Sequence, residues 1–234
     1  MDRRQFSFAA LSALSLAAIA AWRQAHALGV AELSNADASQ GLKAVLERGA
    51  LAAVGLLGKP DGFLANPEVR IPLPGFLADA AGFLRALGRG RQVDELEVAM
   101  NRAAEAAVPL AKELLVNAVK SMTVADARSI LTGGDTSVTA FFAEKTRSPL
   151  AARFLPVVTR ATDKVGLADK YNRVAGKAAG MGLVAREDAS IEHYVTRKSL
   201  DGLYLVIGEE EKKIRKDPAG AGSAILRKVF GALK

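Results

Sequence analysis

Residues 92–120 read QVDELEVAMNRAAEAAVPLAKELLVNAVK, and this stretch decides the fold. Its apolar residues recur at intervals of three and four, which is the spacing of one face of an α-helix. The predicted inward positions are Val93, Leu96, Met100, Ala103, Ala107, Leu110 and Leu114. Because Pro109 has no backbone N–H, we expect it to kink this helix or to divide it in two.

Working outward, the same spacing predicts helices in nearly every segment after residue 38. A capping box at Thr123–Asp126 starts a short helix, and Gly133 ends it. The other predicted helices cover residues 39–57, 75–87, 136–142, 149–165, 167–179, 191–216 and 223–233. Residues 66–74 (NPEVRIPLP) contain three prolines, so we expect an extended segment at an edge or in a loop. The predicted fold class is all-α, a single multi-helix, bundle-like domain with one Pro-rich extended segment.

Composition agrees with this prediction and excludes several classes of protein. The chain has 234 residues, of which 45 are Ala and none is Cys. Without cysteine there is no disulfide scaffold, no thiolate metal site and no cysteine nucleophile. Half of the residues are hydrophobic, which is too many for a disordered chain.

The N-terminus has the three parts of an export signal. Arg3 and Arg4 are followed by an uncharged, Ala-rich run over residues 5–22, and then by Ala25-His26-Ala27, a pattern that signal peptidase accepts. We predict a twin-arginine-like signal peptide at residues 1–27, cleaved after Ala27, and a single helical domain at residues 28–234 in the periplasm. The general secretory route and an uncleaved anchor remain alternatives.

Few residues after the signal are suited to metal or cofactor chemistry. His193 is the single histidine of residues 28–234, which excludes a zinc site with two His ligands, and we expect no metal. The Gly180-x-Gly182 pattern follows helical residues rather than the strand that a dinucleotide site requires. We therefore expect no cofactor.

The richest polar cluster in the sequence is Asn101, Arg102 and Glu105, whose side chains meet on one helix. It could hold a ligand, supply a carboxylate for acid–base chemistry together with Asp126, or be an internal salt bridge between packed helices. The turn at Gly133-Gly134 could bind an anion through its N–H groups or simply separate two helices.

The C-terminal segment carries most of the excess positive charge of the chain, whose net charge is +7. Its basic residues lie beside apolar ones, so the segment could lie on an anionic membrane surface. Lys213 and Arg215 lie four residues after Glu209 and Glu211, and ion pairs at this spacing favour the alternative, a solvated helix face. The membrane-surface candidates are Lys212, Lys213, Arg215, Lys216, Arg227 and Lys228.

Several long motifs resemble one bacterial family. They include residues 58–74 (GKPDGFLANPEVRIPLP), 93–108 (VDELEVAMNRAAEAAV), 122–134 (MTVADARSILTGG) and 201–218 (DGLYLVIGEEEKKIRKDP). The chain resembles the exported proteins catalogued as domain of unknown function 4197 from about residue 33 to 231. This resemblance implies a helical protein exported by Gram-negative bacteria, and it implies no reaction. Family motifs fall on Asn101, Arg102, Glu105, Asp126, Gly133, Gly134, Thr146 and Tyr171, which are the candidate ligand or polar-network residues.

These observations predict a non-enzymatic binding or envelope-associated protein for an apolar or amphiphilic ligand. We expect a lipid or another amphiphile and an anionic membrane surface as partners, and no nucleic acid. One alternative is a periplasmic hydrolase or lyase that uses Glu105 and Asp126. Another is a protein–protein interaction module with an exposed apolar surface around residues 63–73. A binder predicts an enclosed apolar cavity, whereas an enzyme predicts Glu105 in an open cleft near Asp126.

Overall fold

The computed structural model describes residues 39–216, and these residues fold as α-helices joined by turns and loops, the longest of which covers residues 58–74. No strand occurs in this range, so the predicted all-α class is confirmed. The helices are α1, residues 39–57; α2, Gly75–Leu84; α3, Gly90–Ala107; α4, Ala111–Lys120; α5, Val124–Thr132; α6, Ser137–Thr162; α7, Gly166–Gly180; and α8, Ile191–Lys216. The predicted signal peptide and the predicted helix at residues 223–233 lie outside the described residues.

The two longest helices, α6 and α8, pack along each other, and α3 packs against α6. A small residue allows one close approach, because a Cβ atom at Gly208 of α8 would lie 2.8 Å from the Thr139 hydroxyl of α6. Large side chains from all three helices fill the interior between them, and each is almost completely buried. They include Leu96, Met100, Phe142, Leu150, Phe154, Leu200 and Leu203.

Pro109 divides the predicted helix over residues 92–120 in two, as expected. The helix α3 ends at Ala107, a 3-10 turn covers Val108–Leu110, and α4 continues from Ala111. The predicted inward positions Leu110 and Leu114 are wrong, because Leu110 is 40% exposed and Leu114 only half-buried. Ala111 and Leu115 take the buried positions and continue the four-residue spacing from Ala107 through the turn.

Two other prolines do not interrupt a helix. The sequence predicts separate helices before and after Pro149, but α6 runs unbroken from Ser137 to Thr162 and contains both Pro149 and Pro156. Both prolines are exposed, so each ring lies on the solvent side and the apolar face of α6 stays continuous. Burial of that face against α3 and α8 outweighs the local cost of proline.

The Pro-rich segment is a turn followed by an irregular stretch rather than a strand. The N–H groups of Val69 and Arg70 both donate to the carbonyl of Asn66, and residues 70–74 have no regular structure. Phe63, Val69 and Ile71 are buried, so residues 63–73 do not form the exposed apolar surface that the interaction-module alternative needs. The segment lies against α3 and α8 instead.

Candidate functional site

Glu105 of α3 lies beneath the loop that connects α1 to α2. Its Oε1 accepts hydrogen bonds from the backbone N–H groups of Phe63 and Leu64, both at 3.1 Å. Its Oε2 accepts from the Arg102 guanidinium at 2.7 Å. The side chain is 5% exposed, so this carboxylate is held by its own chain and is not presented to a cleft.

Arg102 connects the same carboxylate to the loop. Its second terminal nitrogen donates to Asp61 at 2.7 Å, and Asp61 has a positive φ of 67° at the loop's tight turn. Hydrogen bonds to Glu105 and then to Asp61 raise the pKa of Arg102 above its ordinary value. The guanidinium therefore stays charged, and both of its carboxylate partners lie within the chain.

Asn101, one turn before Glu105, fixes the other end of the loop. Its Oδ1 accepts from the Ile71 N–H at 2.8 Å, and its Nδ2 donates to the Ile71 carbonyl at 3.0 Å and to the Glu97 carbonyl at 2.9 Å. The side chain is completely buried. Asn101 thus satisfies both backbone groups of Ile71, much as a neighbouring strand would.

The helix α8 covers the loop from the opposite side. The Tyr194 hydroxyl donates to the Pro72 carbonyl at 3.1 Å. Gly202 lets the Phe63 ring approach so closely that a Cβ atom would lie 2.9 Å from it. The predicted polar cluster is therefore a set of hydrogen bonds and salt bridges that fixes the loop against α3, rather than a salt bridge between packed helices.

Asp126 is held by the start of α5. It accepts from the Thr123 N–H at 2.9 Å and from the Thr123 hydroxyl at 2.8 Å. The Asp126 N–H donates to the Thr123 hydroxyl oxygen at 3.1 Å, and this bond together with the Thr123 N–H bond completes the predicted capping box. The backbone hydrogen bond, followed by the hydroxyl bond, lowers the pKa of Asp126 below its ordinary value. An acid–base pair would need a raised carboxyl pKa and a shared cleft with Glu105. Within residues 39–216, Asp126 and Glu105 form no hydrogen bond to each other, and their partners lie in different parts of the chain.

The Gly133-Gly134 turn joins α5 to α6. Gly133 has extended backbone angles rather than the left-handed ones of a typical helix end. Glycine is required there by contact, because a Cβ atom would lie 2.6 Å from the Ser137 Cβ. Glu211 of α8 already supplies a carboxylate at this helix start, where its Oε1 lies 3.4 Å from the Val138 nitrogen.

Thr146 and Tyr171 each join two parts of the bundle. The Thr146 hydroxyl lies 2.8 Å from the Tyr204 hydroxyl and donates to the Phe142 carbonyl at 2.6 Å. The Tyr171 hydroxyl donates to the Asp188 carbonyl at 2.8 Å. Burial, with a further contribution from Asp188, raises the pKa of Tyr171 to about 12. Thr146 and Tyr171 are thus buried, uncharged residues that hydrogen-bond one part of the bundle to another.

A chain of alternating charges, which the sequence reasoning missed, runs along α8. Arg147 of α6 lies 2.9 Å from Asp201, whose other oxygen lies 3.7 Å from Arg197, and Arg197 pairs in turn with Asp188. Arg147 also lies 4.9 Å from the centre of the Tyr204 ring. The spacing of Arg197 and Asp201, four apart on a helix, was the available signal.

The C-terminal basic residues are only partly within the described chain. Lys212, Lys213 and Lys216 are exposed on the last turns of α8, and Lys213 pairs with Glu210 at 2.8 Å. The described part of the chain does not include the Arg215 side chain, Arg227 or Lys228. The predicted membrane surface at these positions therefore stays a prediction.

A groove of about 480 Å³ lies open to solvent along α4 and faces α6. Pro109, Leu110 and Val116 supply its apolar part. Its basic residues are Lys112 and Lys120 of α4 and Arg153 of α6. Glu113 pairs with Arg153 at 3.0 Å, and no ion pair to either lysine occurs among residues 39–216. The groove is open, in contrast to the enclosed cavity that the sequence interpretation expected of a carrier.

Two further features concern metals and membranes. In the part of the chain that the structure describes, no three Asp, Glu or His side chains are grouped closely enough to bind a metal ion. Within the same residues, no helix has the length and apolar character to cross a membrane.

Similarity to known proteins is found at the level of a family. The family model described as "Protein of unknown function (DUF4197)" matches residues 32–231. Neither the curated proteins nor the solved structures provide a significant match to the chain.

Proposed function

The chain belongs to this family of unknown function, and we propose that it is a non-enzymatic binding protein of the bacterial envelope whose ligand is an anionic amphiphile. The groove along α4 is the observation that carries this proposal. Its volume lies in the range of small-molecule sites, roughly 300–1,000 Å³. The groove consists of an apolar strip with basic side chains along it, and this composition indicates a ligand that is both apolar and anionic.

The arrangement of residues on α4 fits such a ligand. Lys112, Val116 and Lys120 are four apart, so the two lysines stand one turn before and one turn after the valine on the same face. Leu110 extends the apolar strip and is 40% exposed, although leucine is usually buried. An acyl chain along Leu110 and Val116 would place an anionic headgroup near Lys112 or Lys120.

The remaining chemistry of the chain supports binding rather than catalysis. Both carboxylates of the enzyme alternative are already hydrogen-bonded to the chain, Glu105 to the α1–α2 loop and Asp126 to the start of its own helix. The envelope location is supported by the export-signal pattern at Arg3, Arg4 and Ala27. A basic protein in that compartment meets anionic lipids as its most abundant partners.

Titration with a fluorescent fatty acid tests the proposal. We expect saturable binding by the full-length protein, and about tenfold weaker binding by Lys112→Glu/Lys120→Glu, because two favourable charge contacts become repulsive. The matched control is Lys59→Glu/Arg128→Glu, which makes the same charge change at two exposed residues outside the groove. Native mass spectrometry of protein purified from cells should show an adduct of lipid mass.

Two outcomes would overturn the proposal. One is a wild-type protein that binds no fatty acid and carries no adduct. The other is an equal loss of binding in both double variants, because net charge rather than the groove would then determine affinity.

A further inference from the structure

The outward face of α7 combines exposed cations with exposed apolar side chains. Lys170, Arg173, Val174 and Lys177 lie three or four residues apart, and Met181 follows one turn later. All five are exposed. The opposite side of α7 is buried through Leu167, Ala168, Tyr171 and Ala175. We call the outward set, together with Leu183 in the next turn, the α7 face.

The cations of the α7 face differ from most arginines of the bundle. Seven of the arginines on other elements pair with carboxylates, namely Arg70, Arg85, Arg91, Arg102, Arg147, Arg153 and Arg197. Within residues 39–216, Lys170, Arg173 and Lys177 form no ion pair and no side-chain hydrogen bond. Their charges are therefore available to an anionic partner.

The apolar residues of this face are unusually exposed. Leu183 is 75% exposed and Met181 is 69% exposed, the two highest values among the large apolar side chains of the described chain. Val174, within the row of cations, is 57% exposed. Gly182, with a φ of 74°, forms the turn that carries Met181 and Leu183 beyond the end of α7.

We infer that the α7 face docks on the surface of an anionic lipid bilayer. Lysine and arginine bind lipid phosphates, while methionine, leucine and valine enter the boundary between headgroups and acyl chains. Charge complementarity points to this partner, because whatever binds the α7 face must be anionic and must also accept apolar side chains. This surface is separate from the α4 groove, so it would bring the protein to the membrane where an amphiphilic ligand is found.

Sedimentation with vesicles tests the inference. The protein purified from cells is mixed with phosphatidylcholine vesicles, with or without about 30% phosphatidylglycerol, at low and at physiological ionic strength. We expect binding to the anionic vesicles that weakens with salt. Arg173→Glu/Lys177→Glu should lower the partition coefficient at least about tenfold, because two attractive charges become repulsive. Met181→Ser/Leu183→Ser should also lower it, while leaving the dependence on salt intact.

Two controls separate the α7 face from other causes. Lys59→Glu/Arg128→Glu has the same net charge as the first variant and should bind vesicles within about threefold of wild type. The two proposals fail separately, because Arg173→Glu/Lys177→Glu changes no groove residue and should leave fatty-acid binding unchanged while it lowers the partition coefficient. All three variants change exposed residues, and an unchanged urea midpoint would show that the fold is intact.

Four results would overturn the inference. The first is wild-type binding to vesicles that does not require phosphatidylglycerol, and the second is an unchanged partition coefficient for Arg173→Glu/Lys177→Glu. The third is an equal loss of vesicle binding in Lys59→Glu/Arg128→Glu. The fourth is binding of an acidic protein by the α7 face with no binding to vesicles, which would replace the membrane by a protein partner.

Discussion

Asn101 shows how one buried side chain can fix an irregular segment. A loop that enters the core without forming a strand leaves its backbone groups without partners unless a side chain supplies them. Asn101 supplies both partners of Ile71, and the carboxylate of Glu105 supplies partners for two more N–H groups. The polar residues of α3 therefore replace a ladder of backbone hydrogen bonds.

Asn101→Leu should destabilise the protein by about 2–4 kcal/mol. Leucine has the same number and branching of side-chain heavy atoms as asparagine but cannot bond the Ile71 N–H and carbonyl, and each buried group left unpaired costs about 1–3 kcal/mol. Urea unfolding would measure the loss. Asn117→Leu, at an exposed position on α4, is the control and should change stability by less than about 0.5 kcal/mol. Equal losses in the two variants would contradict the anchoring role of Asn101.

The sequence was sufficient to predict which residues form this cluster but not what they contact. Asn101, Arg102 and Glu105 share a helix face by spacing alone, so their proximity followed from helix geometry. Their partners in the loop are about 30 to 40 residues earlier in the chain. Long-range contacts of that kind depend on how α3 and α8 enclose the loop, and no local pattern encodes that packing.

Among the helices, proline has opposite effects at different places. Pro109 interrupts the stretch from Gly90 to Lys120, as predicted, and the 3-10 turn Val108–Leu110 separates α3 from α4. Pro149 and Pro156 lie inside α6 without ending it. Local propensity predicted interruptions at both Pro109 and Pro149. The continuous apolar face of α6, buried on α3 and α8, could be weighed against that propensity only after the packing was known.

The junction between α5 and α6 depends on one of its two glycines. In Gly133→Ala the new Cβ atom would lie 2.6 Å from the Ser137 Cβ and 2.7 Å from the Ser129 carbonyl oxygen. We expect a loss of about 1–3 kcal/mol, the usual cost of forcing an extra group into a packed site. At Gly134 a Cβ atom would meet nothing within 4 Å, so Gly134→Ala is the matched control.

Thermal unfolding would compare the two glycine variants. A lower melting temperature for Gly133→Ala alone would confirm that steric contact, rather than backbone freedom, selects the glycine. If the Gly134 variant were the less stable of the two, contact with Ser137 could not be the reason for glycine at position 133.

In the molecule as a whole, α8 is the element that the other parts share. It packs on α6, covers the loop that Asn101 and Glu105 hold, and places Glu211 at the start of α6. The proposed binding surfaces lie instead on α4 and on the outward side of α7, whose inner side is held to the Arg186–Asp188 turn by Tyr171. The helices that organise the core thus differ from those that we propose to contact lipid.

The three tyrosines of the chain predict how this organisation responds to alkaline pH. Tyr171, Tyr194 and Tyr204 are buried, and burial raises the pKa of each hydroxyl, to about 12 for Tyr171. An unfolded tyrosine ionises near pH 10. Between about pH 10 and 12 the unfolded state therefore loses protons that the folded state keeps, and the free energy of unfolding falls as the pH rises. Below about pH 10 both states are protonated and the tyrosines add no pH dependence.

Ultraviolet absorbance of tyrosinate measures this directly, because Trp22 is the single tryptophan of the chain and interferes little. In the folded protein we expect tyrosinate to form well above pH 10, together with loss of helical circular dichroism, and in urea we expect it to form near pH 10. Tyr171→Phe should reduce the fall in stability above pH 10, because it removes the hydroxyl with the pKa of about 12. If tyrosinate formed near pH 10 while the helical signal was intact, the hydroxyls would be in contact with water. The buried contacts of α8 with α6 and with the loop, through Tyr204 and Tyr194, would then not describe the protein in solution.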